Sequence, residues 1–550
     1  MGVLMGMDIR GLLKGKNITR ADAALITVVA LLLGFSFYLD YISGNAGTKD
    51  WLLLAARKWL NGEVLYVDIF EVNPPLIVWI YALPVYMSMH TGLIDFHALV
   101  LLGLCMATLS LGLCMLLIRL YPPLANDKRK QLHFSLLLAL VLVAFINPIY
   151  FADREHIFFM LTLPYMLRNM PGMASAAVPL PLRIVIGLLA GIGFCIKPYC
   201  IIIFTGIQLL VLLQRRANIL SSTENILIYT CGMLYLFLVL HFTPHYLHDV
   251  LPIALATYSA YKGSQNVFVL FGVFFTFAMT FVEFRPGHVS VYRRDIGYFL
   301  GLCALCLVYA LANNGWTYTY LPLQSIIMVA TGLVFWEFKA LAREARECGK
   351  SERSFRFGAL ACMLNLIANS AMVALVFFAA LMTGYNNDAF NRDNGLKEVI
   401  METQAKTFGT LTIDFLPWAH LVRATGADWD TRFNHLWMLP KFIVSDVAFA
   451  HSYGWILKTV ADDLADDMDA NKPDLMFVNV HPVVCPACKP AEILPFFLPY
   501  PAFAKAWMHY HYLRKVDICP SLPKEFLAKN AGTSQSAKKA CQYDVYQRSR

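Results

Sequence analysis

NPPLIVWIYALPVYMSM (Asn73–Met89) decides how this chain is threaded, because its seventeen residues are nearly apolar enough to be counted as a membrane span. A bilayer core takes about 20 apolar residues per helix, and this stretch is short and opens on Pro74 and Pro75. Counted as a span, it puts Lys128, Arg129 and Lys130 outside, against the rule that short basic loops stay cytoplasmic. Read as a helix lying in the outer interface, it leaves every basic cluster on one side. Those clusters are Arg10, Lys14, Lys16 and Arg20; Lys128–Lys130; Arg215 and Arg216; Arg285, Arg293 and Arg294; and Lys339, Arg343, Arg346, Lys350, Arg353 and Arg356. The loops around 150–156, 241–264 and 313–319, poor in Lys and Arg, then face the other side.

The rest of the chain fits that threading. Of its 550 residues 58% are hydrophobic and 15% charged, against about 25% charged in soluble proteins, and the mean hydropathy is +0.55. Lipid must solvate much of such a surface. The expected fold is an α-helical polytopic membrane protein of about eleven transmembrane helices. The spans fall near 22–40, 97–119, 132–149, 156–169, 183–197, 198–213, 223–241, 266–283, 296–312, 320–337 and 359–383. The first run follows four basic residues and is long for a cleaved signal peptide, so it reads as a retained anchor with the N-terminus cytoplasmic.

Residues 1–383 thus form the transmembrane domain, with outer juxtamembrane helices over about 42–95, and residues 384–550 a small extracytoplasmic soluble α/β domain. PDLMFVNV (Pro473–Val480) reads as one of its buried strands. The polar tail Ala528–Arg550 reads as mobile unless Cys541 tethers it. Four of the thirteen cysteines, Cys485, Cys488, Cys519 and Cys541, lie in this domain. In an exported domain they are disulfide candidates; Cys485 and Cys488 also form a CxxC pair, but Cys519 and Cys541 lack the second close pair of a zinc ribbon. The net charge of +8 sits in the topogenic loops, so no nucleic-acid partner is expected.

Ionisable groups at membrane level are costly and mark function. The first outer loop supplies Asp40, Asp50, Asp68 and Glu71, with Arg57 and Lys58. The second, YFADREHIFF, places Asp153, Arg154, Glu155 and His156 in succession between apolar runs. The plain alternative is that Arg154 pairs with Asp153 or a lipid headgroup and the acid caps the next helix. Outer carboxylates suit glycosyl transfer, one of them taking the proton of the attacking acceptor, while positive charge or a metal stabilises the departing phosphate. Lys197 in GFCIKPYCII sits at a break between two apolar runs, as a phosphate contact or a snorkelling helix-end lysine. His241, His245, His248 and Asp249 open a further outer loop, and Trp316 and Tyr318 lie in NNGWTYTYLP, suited to stacking on a sugar or to an interfacial belt. In the C-terminal domain, GADWDTRFNHLWMLP (Gly426–Pro440) reads as a packed segment or a glycan-binding one.

Taken in order, these residues resemble the GT-C superfamily of integral membrane glycosyltransferases, and within it the bacterial relatives of aminoarabinose–lipid A transferases and protein O-mannosyltransferases. Asp50 ahead of AARKWLNGE, NPPLIVWIY, Asp153 in FADREH, Lys197 between short runs and HFTPHYLHDVLP carry the resemblance, over about residues 20–340. It implies Asp50 as the catalytic base, Asp153 and Glu155 as its supporting acids, and Lys197 with Arg154 as contacts to the donor phosphate. Asp68, Asn73, His156, His245, Trp316 and Tyr318 become substrate-binding candidates. The partners it implies are membrane lipid, a polyprenyl-phosphate sugar donor and an extracytoplasmic glycan, lipid or protein acceptor. A divalent cation such as Mg or Mn is a possible cofactor. The location it implies is the bacterial inner membrane, with the C-terminal domain periplasmic. Two departures stand out: Lys49 and Trp51 flank Asp50, whose spacing to the AR helix is short, leaving Asp40 and Asp68 as alternative bases; and Asn73 replaces the usual charged residue before the prolines. The rival reading is a multi-span transporter or flippase of a lipid-linked or small anionic substrate, although the chain lacks the internal repeat such folds tend to show.

Overall fold

The computed structural model describes residues 19–43, 48–144, 146, 150–213, 220–260, 293–313, 317–333, 395–413, 417–480, 492–518 and 542–549. In chain order the helices used below are α1 (Arg20–Ser43), α2 (Thr48–Leu60), α3 (Pro75–Thr91), α4 (Asp95–Leu120), α5 (Lys128–Ala139), α6 (Arg154–Arg168), α7 (Leu180–Phe194), α8 (Cys200–Leu213), α9 (Thr223–Phe242) and α10 (Leu251–Thr257). They continue with α11 (Arg293–Ala312), α12 (321–333), α13 (Gly395–Thr403), α14 (Trp418–Thr425) and α15 (Leu439–Val444), then α16 (Val447–Ala470) and α17 (Pro501–Trp507). Five strands accompany them: β1 (Thr407–Leu411), β2 (Asp428–Trp429), β3 (Leu475–Asn479), β4 (Tyr510–Asp517) and β5 (Gln542–Arg548). The chain divides into two compact units, one of Met1–Ile42, Leu99–Phe237 and Gly263–Leu381, the other of Ser43–Ala98, Leu238–Lys262 and Met382–Arg550.

Every regular element among the described residues of the first unit is a helix. Three described helices, Asp95–Leu120, Thr223–Phe242 and Arg294–Ala312, are long and apolar enough to cross a membrane, and Asp22–Tyr38, Leu180–Phe194 and Cys200–Leu213 are shorter apolar helices. Met233, Leu234 and Phe237 of α9 are exposed, a surface that lipid solvates and water does not. Nine of the expected spans overlap described helices; those near 266–283 and 359–383 lie outside the described residues. Pro75–Thr91 is a 17-residue helix packed on α2, with Ile77, Val78, Tyr81 and Val85 buried.

Close helix approach in the first unit depends on small residues. A Cβ on Gly187 of α7 would meet the Glu224 backbone at 2.9 Å, and one on Gly191 would meet the Cys231 side chain at 2.7 Å. This small-xxx-small spacing lets backbones pack where there is no water to drive association. Polar clusters then fix the helix ends. Arg129 and His133 both meet Asp22 at 2.9 Å. Arg168 and Arg183 converge on Glu224 at 3.2 and 3.0 Å, and Asp295 accepts from the Tyr121 hydroxyl and the Gly172 amide. All three carboxylates lie in the first turn of a helix, where an acid complements the helix dipole.

The second unit contains a five-stranded mixed sheet of order β2-β1-β3-β5-β4. β1 lies parallel to β2 and β3, whereas β5 is antiparallel to both β3 and β4. All five residues of β3 are buried, as expected for a strand covered on both faces. The polar tail corrects the expectation of a mobile end. Gln542–Arg548 is an interior strand, since Tyr543 and Val545 alternate into the core and its backbone pairs on both edges. The segment Gly426–Pro440 packs: Trp429, Phe433 and Trp437 are buried, and Arg432 reaches Asp463 at 2.8 Å and Asp467 at 2.9 Å on α16.

Burial pushes the Asp463 carboxyl up to about 6, with Arg432 opposing the rise. A carboxyl raised above its unfolded value of 3.8 favours the folded state below that value, and the contribution is lost as pH climbs through about 6. Asp463→Asn should therefore flatten the pH dependence of stability between pH 4 and 6 relative to wild type. Thermal melts of the two proteins across that range check it.

Candidate active site

The residues singled out in the sequence fall into two clusters, one within each unit. In the first unit the cluster is built on the start of α6. Asp153 is the N-cap, its Oδ1 accepting from the Arg154 amide at 2.8 Å and facing Arg154 Nε at 3.4 Å. An acid at this position satisfies a helix-end donor and complements the helix dipole. Ala152 before it holds φ of 56°, a left-handed conformation uncommon for a residue with a Cβ. The amide of Ala152 donates to His156 Nδ1 at 3.0 Å, which makes Nε2 the ring donor, and Nε2 reaches the Leu142 carbonyl at 2.9 Å. Both nitrogens of His156 are thus engaged with backbone, so the ring braces the turn and has no nitrogen left for a ligand. Gly103 makes room for this turn, since a Cβ there would lie 2.8 Å from the Phe151 ring and 2.9 Å from Ala152 Cβ.

With the turn fixed, Arg154 and Glu155 are buried. Lys197, between α7 and α8, hydrogen-bonds Glu155 Oε1, and the Tyr309 hydroxyl of α11 approaches the same oxygen at 3.4 Å. Glu155 Oε2 has no hydrogen-bond partner among the described residues. Two cations face one ring: Arg154 stands 5.3 Å and Lys197 5.1 Å from the centre of Tyr318, within cation–π range. Asp153, Arg154, Glu155 and Lys197 therefore meet in one buried, charge-balanced set, with the half-buried Tyr318 ring against its two cations. Trp316 lies outside the described residues, as do Cys485, Cys488, Cys519 and Cys541.

In the second unit the cluster is built on the first turn of α2. Lys49 and Asp50 are both buried, Lys49 lying 5.3 Å from the centre of the Phe96 ring. Asp50 Oδ1 meets Arg423 Nη1 of α14 at 2.6 Å. Next to it, Trp51 donates its indole N–H to Glu71 and packs edge-on against Trp429, ring centres 5.3 Å apart. Glu71 also accepts from the amide of Asn73 at 2.7 Å and from its side-chain nitrogen. Asn73 thus holds the turn into NPPL, and its carbonyl takes the Tyr66 hydroxyl at 2.7 Å.

Two candidates stand apart from these sets. Asp68 is exposed and accepts from the Val64 amide at 2.7 Å, closing its own turn. His245 pairs with Asp249 at 2.6 Å, both about half exposed. Asp40 lies in α1, and its side chain is outside the described residues. Among the described residues no group of three or more His, Cys, Asp and Glu side chains is disposed to hold a metal ion. Sequence reading named Glu71 among the first-loop acids without giving it a site role, and selected neither Arg423 nor Tyr309. Glu71 was within reach as the acid of the FEVNPP turn; Arg423 and Tyr309 carry no local signal, since only the folded chain brings them to Asp50 and Glu155.

No family model matches the chain, and no curated protein matches it. Among solved structures it is similar to the crystal structure of ArnT from Cupriavidus metallidurans in the apo state, at 13% identity and a TM-score of 0.45, over 82% of this chain and 93% of that one. A likeness of that degree says nothing about individual residues or chemistry.

Breaking a buried ion pair on one side costs about 3–5 kcal/mol, whereas replacing both partners with apolar residues is often close to neutral. Lys197→Met should accordingly lower the melting temperature of the full-length protein. Combining it with Glu155→Leu should recover most of the loss. Melts in the same detergent compare the three proteins.

Proposed function

We propose that this protein is a membrane glycosyltransferase of the GT-C kind, moving one sugar from a polyprenyl-phosphate donor to an acceptor outside the cytoplasm. The observation that carries the reading is the buried set of Arg154, Glu155 and Lys197 around Tyr318. Two buried cations gathered on one aromatic ring, each facing a carboxylate, suit recognition of a sugar phosphate. The phosphate takes over Lys197 from Glu155, and the ring of Tyr318 lies against the sugar.

The reaction on this reading is an inverting displacement. The acceptor hydroxyl oxygen bonds to the anomeric carbon from the face opposite the phosphate. The carbon–oxygen bond to phosphate breaks, and the polyprenyl phosphate leaves with the bonding pair. The hydroxyl proton passes to Asp50, the general base. Lys197 and Arg154 stabilise the charge that grows on the departing phosphate. Asp153, as the cap of α6, orients Arg154.

Chains that lack the base or the phosphate contact should make less product. Mass spectra of glycolipids and surface glycans from cells with and without the gene identify the product as the species lost on deletion. Asp50→Asn and Lys197→Met, at normal protein levels, should each lower it, Asp50→Asn by about 10²-fold or more. Purified Lys197→Met should also bind undecaprenyl phosphate at least tenfold more weakly. Unchanged product in the Asp50 variant removes the proposed reaction; unchanged binding by the Lys197 variant removes the proposed phosphate contact.

A further inference from the structure

We infer that Arg423, on α14 beside the C-terminal sheet, is a positioning residue for the Asp50 carboxylate, so that the C-terminal segment supplies part of the reaction centre. The inference rests on Asp50 being the base. It follows from what a buried carboxylate needs. The Asp50 side chain is 3% exposed and stands in an apolar setting that includes Trp51 and Trp429. An ionised carboxylate there is costly unless a cation faces it. Arg423 supplies the cation at 2.6 Å, from a side chain that is itself 31% exposed. The guanidinium, partly exposed, thus meets the buried carboxylate from the outer side of the pair.

Two attachments set the direction of that reach. α14 is anchored by Trp418, whose buried ring lies 5.6 Å from Phe477 and 5.4 Å from Tyr543 of the sheet. It ends at Gly426, whose φ of 73° lets its amide turn back to the Val422 carbonyl. α2 is held from the other side by the Trp51–Trp429 ring contact and the Trp51–Glu71 hydrogen bond. The charges around the pair come from each neighbouring element. Asp95 at the start of α4 acts on Arg423 and is itself gripped by Arg57 of α2, with Nη2 to Oδ1 at 2.5 Å. Lys49 lies on the Phe96 ring and Glu71 is occupied by Trp51 and Asn73. Among the described contacts Arg423 stands 2.6 Å from Asp50, while Asp95 and Glu71 are engaged by Arg57, Trp51 and Asn73. A guanidinium in this place fixes the carboxylate oxygen and leaves its direction dependent on the sheet unit.

The test uses the full-length protein in membrane vesicles from a deletion host, reading formation of the product lost on deletion. Arg423→Ala should slow product formation on the order of 10²-fold, the scale of loss when a reacting group is displaced by about 1 Å. Millimolar guanidinium added to that variant should restore part of the rate, and Arg423→Lys should fall between wild type and Ala. A structural tie alone would not respond to the free cation. Wild-type rates in Arg423→Ala, or a loss that follows the amount of folded protein and is untouched by guanidinium, overturn the inference. Asp50→Asn is run alongside. If that variant keeps full activity, the base assignment fails and the inference with it; if it is inactive while Arg423→Ala is normal, only the inference fails.

Discussion

Buried carboxylates organise this molecule. Taking a charge out of water costs several kcal/mol even after relaxation, and the cost is recovered only by a well-placed opposite charge. Asp50 and Glu155 are both buried, and each has its cation: Arg423 in one case and Lys197 in the other. Neither partner is a sequence neighbour, so each pair ties separate segments together within its own unit. The helix ends repeat the pattern with Asp22, Glu224 and Asp295. In a chain with few charges, these buried ones tie distant segments into register.

The turns carrying the two acidic sets are also conformationally unusual. Ala152 and Tyr66 both hold positive φ, at 56° and 71°. Such residues persist only where the surroundings over-determine them. His156 does so for Ala152, using both ring nitrogens on backbone. For Tyr66 the constraint is the hydroxyl bond to the Asn73 carbonyl, with the Tyr246 ring 5.1 Å away. The ionisable side chains that follow each turn are thereby aimed by backbone geometry, which is how a rigid site is built from loop residues.

The aromatic residues of the second unit have a structural duty before any recognition role. Phe408, Trp418, Trp429 and Phe477 form the core of the sheet, and Trp429 extends that core to Trp51 beside Asp50. Gly426–Pro440, rich in Trp, Arg and His, is therefore a packed connector. Arg432 within it is taken up by two acids of α16. A glycan-binding surface would need those rings exposed, and they are buried.

The sequence by itself determined the helical character of the first unit, a short helix opening at the paired prolines Pro74 and Pro75, the strand at Leu475–Asn479 and the gathering of charge in FADREH. Each of these is a local property: hydropathy over a window, two prolines at a start, a run of β-formers, charge inside an apolar stretch. The fate of the tail was not legible, because Gln542–Arg548 is polar in composition and becomes a strand only through pairing with β3 and β4. Nor were Arg423 and Tyr309, nor the bracing of His156, nor the self-closure of Asp68. Which acid gains a cation and which folds onto its own turn depends on segments distant in sequence meeting in space, and burial, the cause of that selection, exists only once they have met.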